Sequence, residues 1–254
     1  MENNKYDKFS WKRVSMVSSY YSTRLRWQVM FYPLVSLFVF MLSMIAEMVG
    51  GVIVAQSLTG LLQYLVIFGP LVFAFRRKGD MDDFIPVSGT EKATFLAIYC
   101  LIVLPILVLA PCEIANQLVY ERSIFTADLS AVPQLKTMVL NNTAMAACSI
   151  LQMLTGASIC MWVVSAVRRK VVLKSILFTL ITFMVLGLVS GIFMTVAILK
   201  GNGVGPQLHR MPVINYEVVG QSINEISSWM IPALSLIIIF AVWRTFKANS
   251  KIKE

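Results

Sequence analysis

Charge is what this sequence has least of. Only 14% of its 254 residues are charged, against about 25% in a soluble domain, and 57% are hydrophobic. The one histidine, His209, cannot build a histidine-rich metal centre. The four cysteines, Cys100, Cys112, Cys148 and Cys160, form no Cys-x-x-Cys pair, and they read as small apolar packing residues. No phosphate-binding loop ending in Gly-Lys-Ser/Thr is present, nor any His-Glu-x-x-His or Gly-x-Ser-x-Gly motif. The glycine-rich run at 201–206 lacks that ending and reads as a turn. Glu47 and Glu113 stand near the ends of apolar runs, whose inner parts hold no ionisable residue. The usual mark of a proton- or sodium-coupled pathway is therefore missing. The expectation is a protein that is not an enzyme and binds no cofactor or metal of its own.

What is there is apolar sequence in blocks. A hydrocarbon core about 30 Å thick takes roughly 20 mostly apolar residues of helix to cross. Six runs meet or approach that length, near 30–49, 51–75, 93–110, 143–167, 175–199 and 229–246. Little remains outside them. The predicted fold is all-α, a polytopic membrane protein of six transmembrane helices forming a single membrane domain over 1–254. The first run is too long, and too far from the N-terminus, to read as a signal peptide. Before it, Val14, Val17, Tyr21 and Leu25 recur at helical spacing, with Lys12, Ser15, Ser19, Ser22 and Arg26 on another face. That pattern predicts an amphipathic helix over 9–28 lying in the membrane interface.

The net charge of +9 fits topology better than nucleic-acid binding. Eighteen of the 22 Lys and Arg residues fall in the two terminal segments and in the loops after the second and fourth runs. Short loops rich in these residues stay cytoplasmic. Both termini are then cytoplasmic, which requires an even number of spans.

The densest polar island in the first half runs from Arg76 to Lys92. Arg76, Arg77 and Lys78 form a basic edge, offset by Asp80, Asp82 and Asp83. Phe84 and Ile85 are apolar within this polar loop, and read either as a docking knob or as residues folded back on their own helices. After Pro86, Ser88-Gly89-Thr90-Glu91 fits the Ser-x-x-Glu capping box, so a helix is predicted to start there. In the spans, Gln56, Thr59 and Gln63 share one helical face, and Gln152 lies on a similar face of the fourth span. Such groups either line a pathway or bond between helices. Gly187 and Gly191, four apart, permit close helix approach within the chain or between subunits.

The order of these features resembles the six-span permease subunits of bacterial ABC-2 type transporters. An interfacial helix leads in, a basic–acidic elbow separates spans two and three, and a half-apolar external hairpin joins the last two spans. Locally, Phe84-Ile85-Pro86-Val87-Ser88-Gly89-Thr90-Glu91-Lys92 looks like a Leu-Pro-x-Ser-x-x-Glu-Lys stretch of small membrane proteins of that type, with Ile85 in place of the leucine. The resemblance implies a bacterial plasma-membrane (inner-membrane) protein that works as a homo- or heterodimer of permeases in the lipid bilayer. It also implies a separate ABC ATPase subunit carrying the ATP. By that resemblance Val14, Val17, Tyr21, Asp82, Asp83, Phe84, Ile85, Ser88 and Glu91 form the ATPase contact. The competing expectation is a non-transporting membrane protein, an assembly or sensor component using the same surfaces.

Overall fold

A computed structural model describes residues 9–49, 52–74, 88–120, 143–167, 170–201 and 216–250. Among the described residues every regular element is helical. The amphipathic segment and the first apolar run, expected as two pieces, form one continuous helix, α1 (Trp11–Met48). Its 38 residues reach about 57 Å. Nothing in residues 25–32 breaks a helix, and Pro33 is accommodated inside it.

The second apolar run forms α2 (Val52–Phe68), which tightens into a 3-10 helix over Gly69–Ala74. The third apolar run is longer than the sequence predicts. It starts as α3 (Gly89–Ile98), widens to a π-helical turn at Tyr99–Val103, and continues as α4 (Leu104–Tyr120). Pro105 accounts for the widening. It has no N–H to give to the turn before it, and the Leu104 N–H reaches back to the Tyr99 carbonyl, the wider ring of a π-turn. The last three helices are α5 (Thr143–Ala166), α6 (Val171–Gly201) and α7 (Tyr216–Ser250). The expected external hairpin falls partly in 202–215, outside the described residues; from Tyr216 to Ser250 the chain is one helix. Lys170, just before α6, has φ 51°, a left-handed conformation unusual for a residue with a side chain.

Five stretches are long and apolar enough to cross a membrane: Leu25–Met48, Gly89–Val119, Ala147–Ala166, Val171–Val189 and Ser228–Ser250. Gly60–Ala74 is a shorter apolar helix. The described residues are thus all-helical, with five stretches of the length and composition that a multi-pass membrane protein requires. Their centre is α5, where 61% of the span is buried, against 11% of the span in α6. Met153, Ala157, Cys160, Met161 and Val164 carry α5 into the main core, and all four cysteines are free and buried. Gly156 lets its neighbours close in: a Cβ there would lie 2.9 Å from Ile67 and 3.0 Å from Phe183.

The first half of the chain packs α1 against α2, α3 and α4, and the second half packs α5 against α6 and α7. Contacts of α2 with α5, and of α3 with α7, join the halves. The second of these joints is backbone on backbone. A Cβ at Gly89 would land on the carbonyl of Asn249, near the end of α7. A carbonyl cannot swing aside as a side chain can, so Gly89→Ala is expected to lower stability by about 1–3 kcal/mol, the usual cost of overpacking. Gly60→Ala is the control. A Cβ at Gly60 meets nothing within 4 Å, and alanine is the better helix former by about 0.5–1 kcal/mol. Resistance to denaturation in mild detergent would rank the pair.

Candidate functional site

The residues at the start of α1 and α3 meet on one carboxylate. Ser88 caps α3 as its sequence predicts: its hydroxyl accepts from the Glu91 N–H, and the Glu91 side chain accepts from the Ser88 N–H at 2.9 Å. The same carboxylate also accepts from the Ser10 N–H at 2.8 Å, at the cap of α1. One side chain therefore serves the N-termini of two helices, where backbone N–H groups lack partners and the helix dipole favours negative charge. Arg13 completes the arrangement. Its Nε lies 2.8 and 2.9 Å from the two carboxylate oxygens, and a terminal guanidinium nitrogen lies 2.7 Å from Oε1. The Glu91 side chain is fully buried. A buried charge is tolerated when its oxygens are met by charged and backbone donors, as here.

Behind this knot an aromatic cluster binds the same elements. Phe95 of α3 stacks on Tyr21 of α1, with ring centroids 5.7 Å apart, and on Tyr99 of the π-turn at 6.1 Å. Phe73 of the 3-10 helix meets Tyr21 edge-on at 5.3 Å and Tyr99 at 5.7 Å. Two turns further along α1 from Tyr21, Gln28 is buried and its amide is used at both ends. It donates to the Tyr32 hydroxyl at 2.9 Å and to the Gly69 carbonyl at 3.0 Å, and it accepts from the Tyr99 hydroxyl at 2.8 Å. A side-chain amide in an apolar bundle is stable only when its polar atoms find partners.

These contacts redefine several predicted site residues. Val14, Val17, Tyr21 and Glu91 do come together, with Ser88 beside them, but against each other: all but Ser88 are buried within the chain. Within this chain Val14, Val17, Tyr21 and Glu91 therefore present no exposed face to a second protein. The apolar stripe of α1 covers α3 and the 3-10 helix, because its own chain supplies the partner surface. Asp82, Asp83, Phe84 and Ile85 lie outside the described residues. So do the side chains of Gln56 and Thr59, whose backbone is helical in α2. Gln63 on α2 and Gln152 on α5 are half-buried on helices that touch. Gly187 and Gly191 stand apart, on an outer face of α6 with nothing within 4 Å of a Cβ at either.

Arg13 and Gln28 are the functional side chains that reading by residue type misses. The periodicity contains both: Arg13 precedes Val17 by four residues, and Gln28 follows Tyr21 by seven, so each lies on the apolar face of α1. A polar residue on such a face needs a partner, and that is the signal.

On the other flank of α1 an open groove of about 980 Å³ runs between α1 and the α3–π segment. Ser15, Ser18, Ser22 and Thr23 line its first part, and Arg26 stands at the boundary. Val29, Met30, Ile98 and Val103 follow, and Trp11, Val14, Leu25, Phe95 and Tyr99 complete the lining. Among the described residues no group of three or more His, Cys, Asp or Glu could hold a metal ion. No protein family, no characterised protein and no solved structure matches this chain.

Proposed function

We propose that this chain is the membrane-spanning permease subunit of a transporter resembling the ABC-2 type. In this reading it crosses a bacterial inner membrane six times with both termini in the cytoplasm. A separate ATPase energises it, and the substrate is moved by a pair of such subunits. The observation that carries the reading is the Glu91 knot. Residues 75–87 run directly into Ser88, whose N–H and hydroxyl are both engaged with Glu91. Glu91 is bonded in turn to Ser10 and Arg13. A push on that segment would pass to the starts of α1 and α3 together, as a subunit driven from outside requires.

The six-span reading has its own support. Tyr21 meets Phe73 and Gln28 meets Gly69, so α2 and its 3-10 extension retrace α1. Seventeen α and six 3-10 residues extend about 37 Å, longer than a hydrocarbon core of about 30 Å. The start of α1, the start of α3 and the end of α7 also adjoin, through Arg13–Glu91 and Gly89–Asn249, which favours an even number of crossings. The open face at Gly187 and Gly191 leaves room for a second subunit.

Because Val14, Val17 and Tyr21 are buried, the ATPase would dock on the exposed flank of α1, at Trp11, Lys12 and Ser19, and on Asp82 to Ile85. Purification of the full chain from native membranes in mild detergent tests this. The expected companion is a stoichiometric nucleotide-binding ATPase, lost on combining Trp11→Ala with Lys12→Glu while the chain stays folded. Recovery of the chain alone, or with a partner that is no ATPase, would replace the proposal with the assembly or sensor reading.

A further inference from the structure

The groove on the flank of α1 carries its hydroxyls only as far as Arg26, beside the apolar surface that Trp11 and Val14 bring to the same half. Ser15, Ser18 and Ser22 follow each other at spacings of three and four, so they form a hydroxyl row on one face, with Arg26 one turn on and Val29 and Met30 after it. The apolar stretch long enough to enter a membrane begins at Leu25. The last hydroxyls and Arg26 therefore fall where the apolar stretch of α1 begins. Arg26, Val29, Met30 and Val103 are all exposed, so the groove is open along its outer side. Arg26 has no ion-pair partner among the described residues, and Arg13 nearby is already engaged by Glu91.

We infer that this groove is a binding site for an anionic glycerophospholipid. The Arg26 guanidinium meets the phosphate as a charge-assisted donor. The hydroxyls of Ser18 and Thr23 take the headgroup oxygens, while that of Ser22 is given to the Ser19 carbonyl, and one acyl chain lies along Val29, Met30, Ile98 and Val103. The volume of about 980 Å³ stands at the upper end of small-molecule sites, about 300–1,000 Å³. A free phosphate would use only the polar half. The lipid uses both halves, and the position of the charge where the apolar stretch begins favours it. The inference needs no ATPase and stands or falls apart from the transport reading.

The test uses the full-length chain in mild detergent, titrated with tail-labelled phosphatidylglycerol or phosphatidylcholine. Phosphatidylglycerol is expected to bind more tightly. Arg26→Gln is expected to weaken it about tenfold, the size of one charged hydrogen bond, and Arg26→Lys to restore part of the loss. Lys174→Gln, which removes an exposed charge at the start of α6, away from the groove, should leave binding unchanged. Val103→Trp should weaken both lipids by filling the apolar half. Equal affinity for the two lipids would overturn the site, as would equal losses in Arg26→Gln and Lys174→Gln. Displacement of the lipid by millimolar inorganic phosphate, with Val103→Trp silent, would show an anion site rather than a lipid site and overturn it too.

Discussion

Replacing Glu91 with alanine is expected to lower the stability of the membrane domain by about 3–5 kcal/mol, the cost of breaking a buried ion pair by removing one partner. Three kinds of donor lose their acceptor at once: the Arg13 guanidinium, the Ser10 N–H at the cap of α1 and the Ser88 N–H at the cap of α3. Arg13→Ala should cost less, because the carboxylate keeps its two backbone donors. Combining Arg13→Met with Glu91→Leu should recover only part of the loss. An apolar pair can replace a salt bridge at little cost, but not the cap bonds at two helix ends. Unfolding of the detergent-solubilised chain by denaturant, followed by helical signal, gives the ranking Glu91→Ala, then Arg13→Ala, then wild type. A Glu91→Ala effect within about 0.5 kcal/mol, the range of an ordinary surface change, would mean that the knot does not hold the helices together.

Truncating Phe95 to alanine is expected to cost a further large amount, about 3–5 kcal/mol, typical of a buried phenylalanine. Phe95 is the shared ring of the cluster, stacked on Tyr21 and Tyr99 and edge-on to Phe73. Each such pair adds about 0.5–1.5 kcal/mol beyond burial. Its loss opens a cavity where α1, α3, the 3-10 helix and the π-turn meet. Phe38 provides the contrast. It is 56% exposed on the outer side of α1, so Phe38→Ala loses mainly lipid contact and should be nearly neutral. Near-ultraviolet circular dichroism should also change for Phe95→Ala, because Tyr21 and Tyr99 lose their stacking partner. Equal stability of the two variants would rule out the cluster as the site where these elements are joined.

Much of this architecture is legible in residue order, because a membrane imposes length and polarity on a helix directly. Apolar blocks of about 20 residues become helices since the backbone has no water to bond to in hydrocarbon. The helix start at Ser88 is equally local: the capping box needs only residues 88 and 91, and it forms. The apolar stripe of Val14, Val17, Tyr21 and Leu25 is visible as well, because helical periodicity is a property of neighbours three and four apart.

What that stripe covers is a different matter. Its residues touch Phe73 and Phe95, more than 50 and 70 positions away. No local pattern distinguishes a face made for a partner from one made for the chain's own later helices. The junction between residues 28 and 30 was equally undetermined, since a polar helix and an apolar one join without a break when nothing interrupts the backbone ladder. Fold class, the helical segments and the α3 cap belong to the sequence by itself, since local spacing and polarity suffice to set them. The bonding of Ser10, Arg13 and Ser88 to one carboxylate, the closure of Gln28 on Gly69 and Tyr99, and the groove beside Arg26 were decided only by tertiary packing. Each depends on which distant surfaces meet, and at what distance.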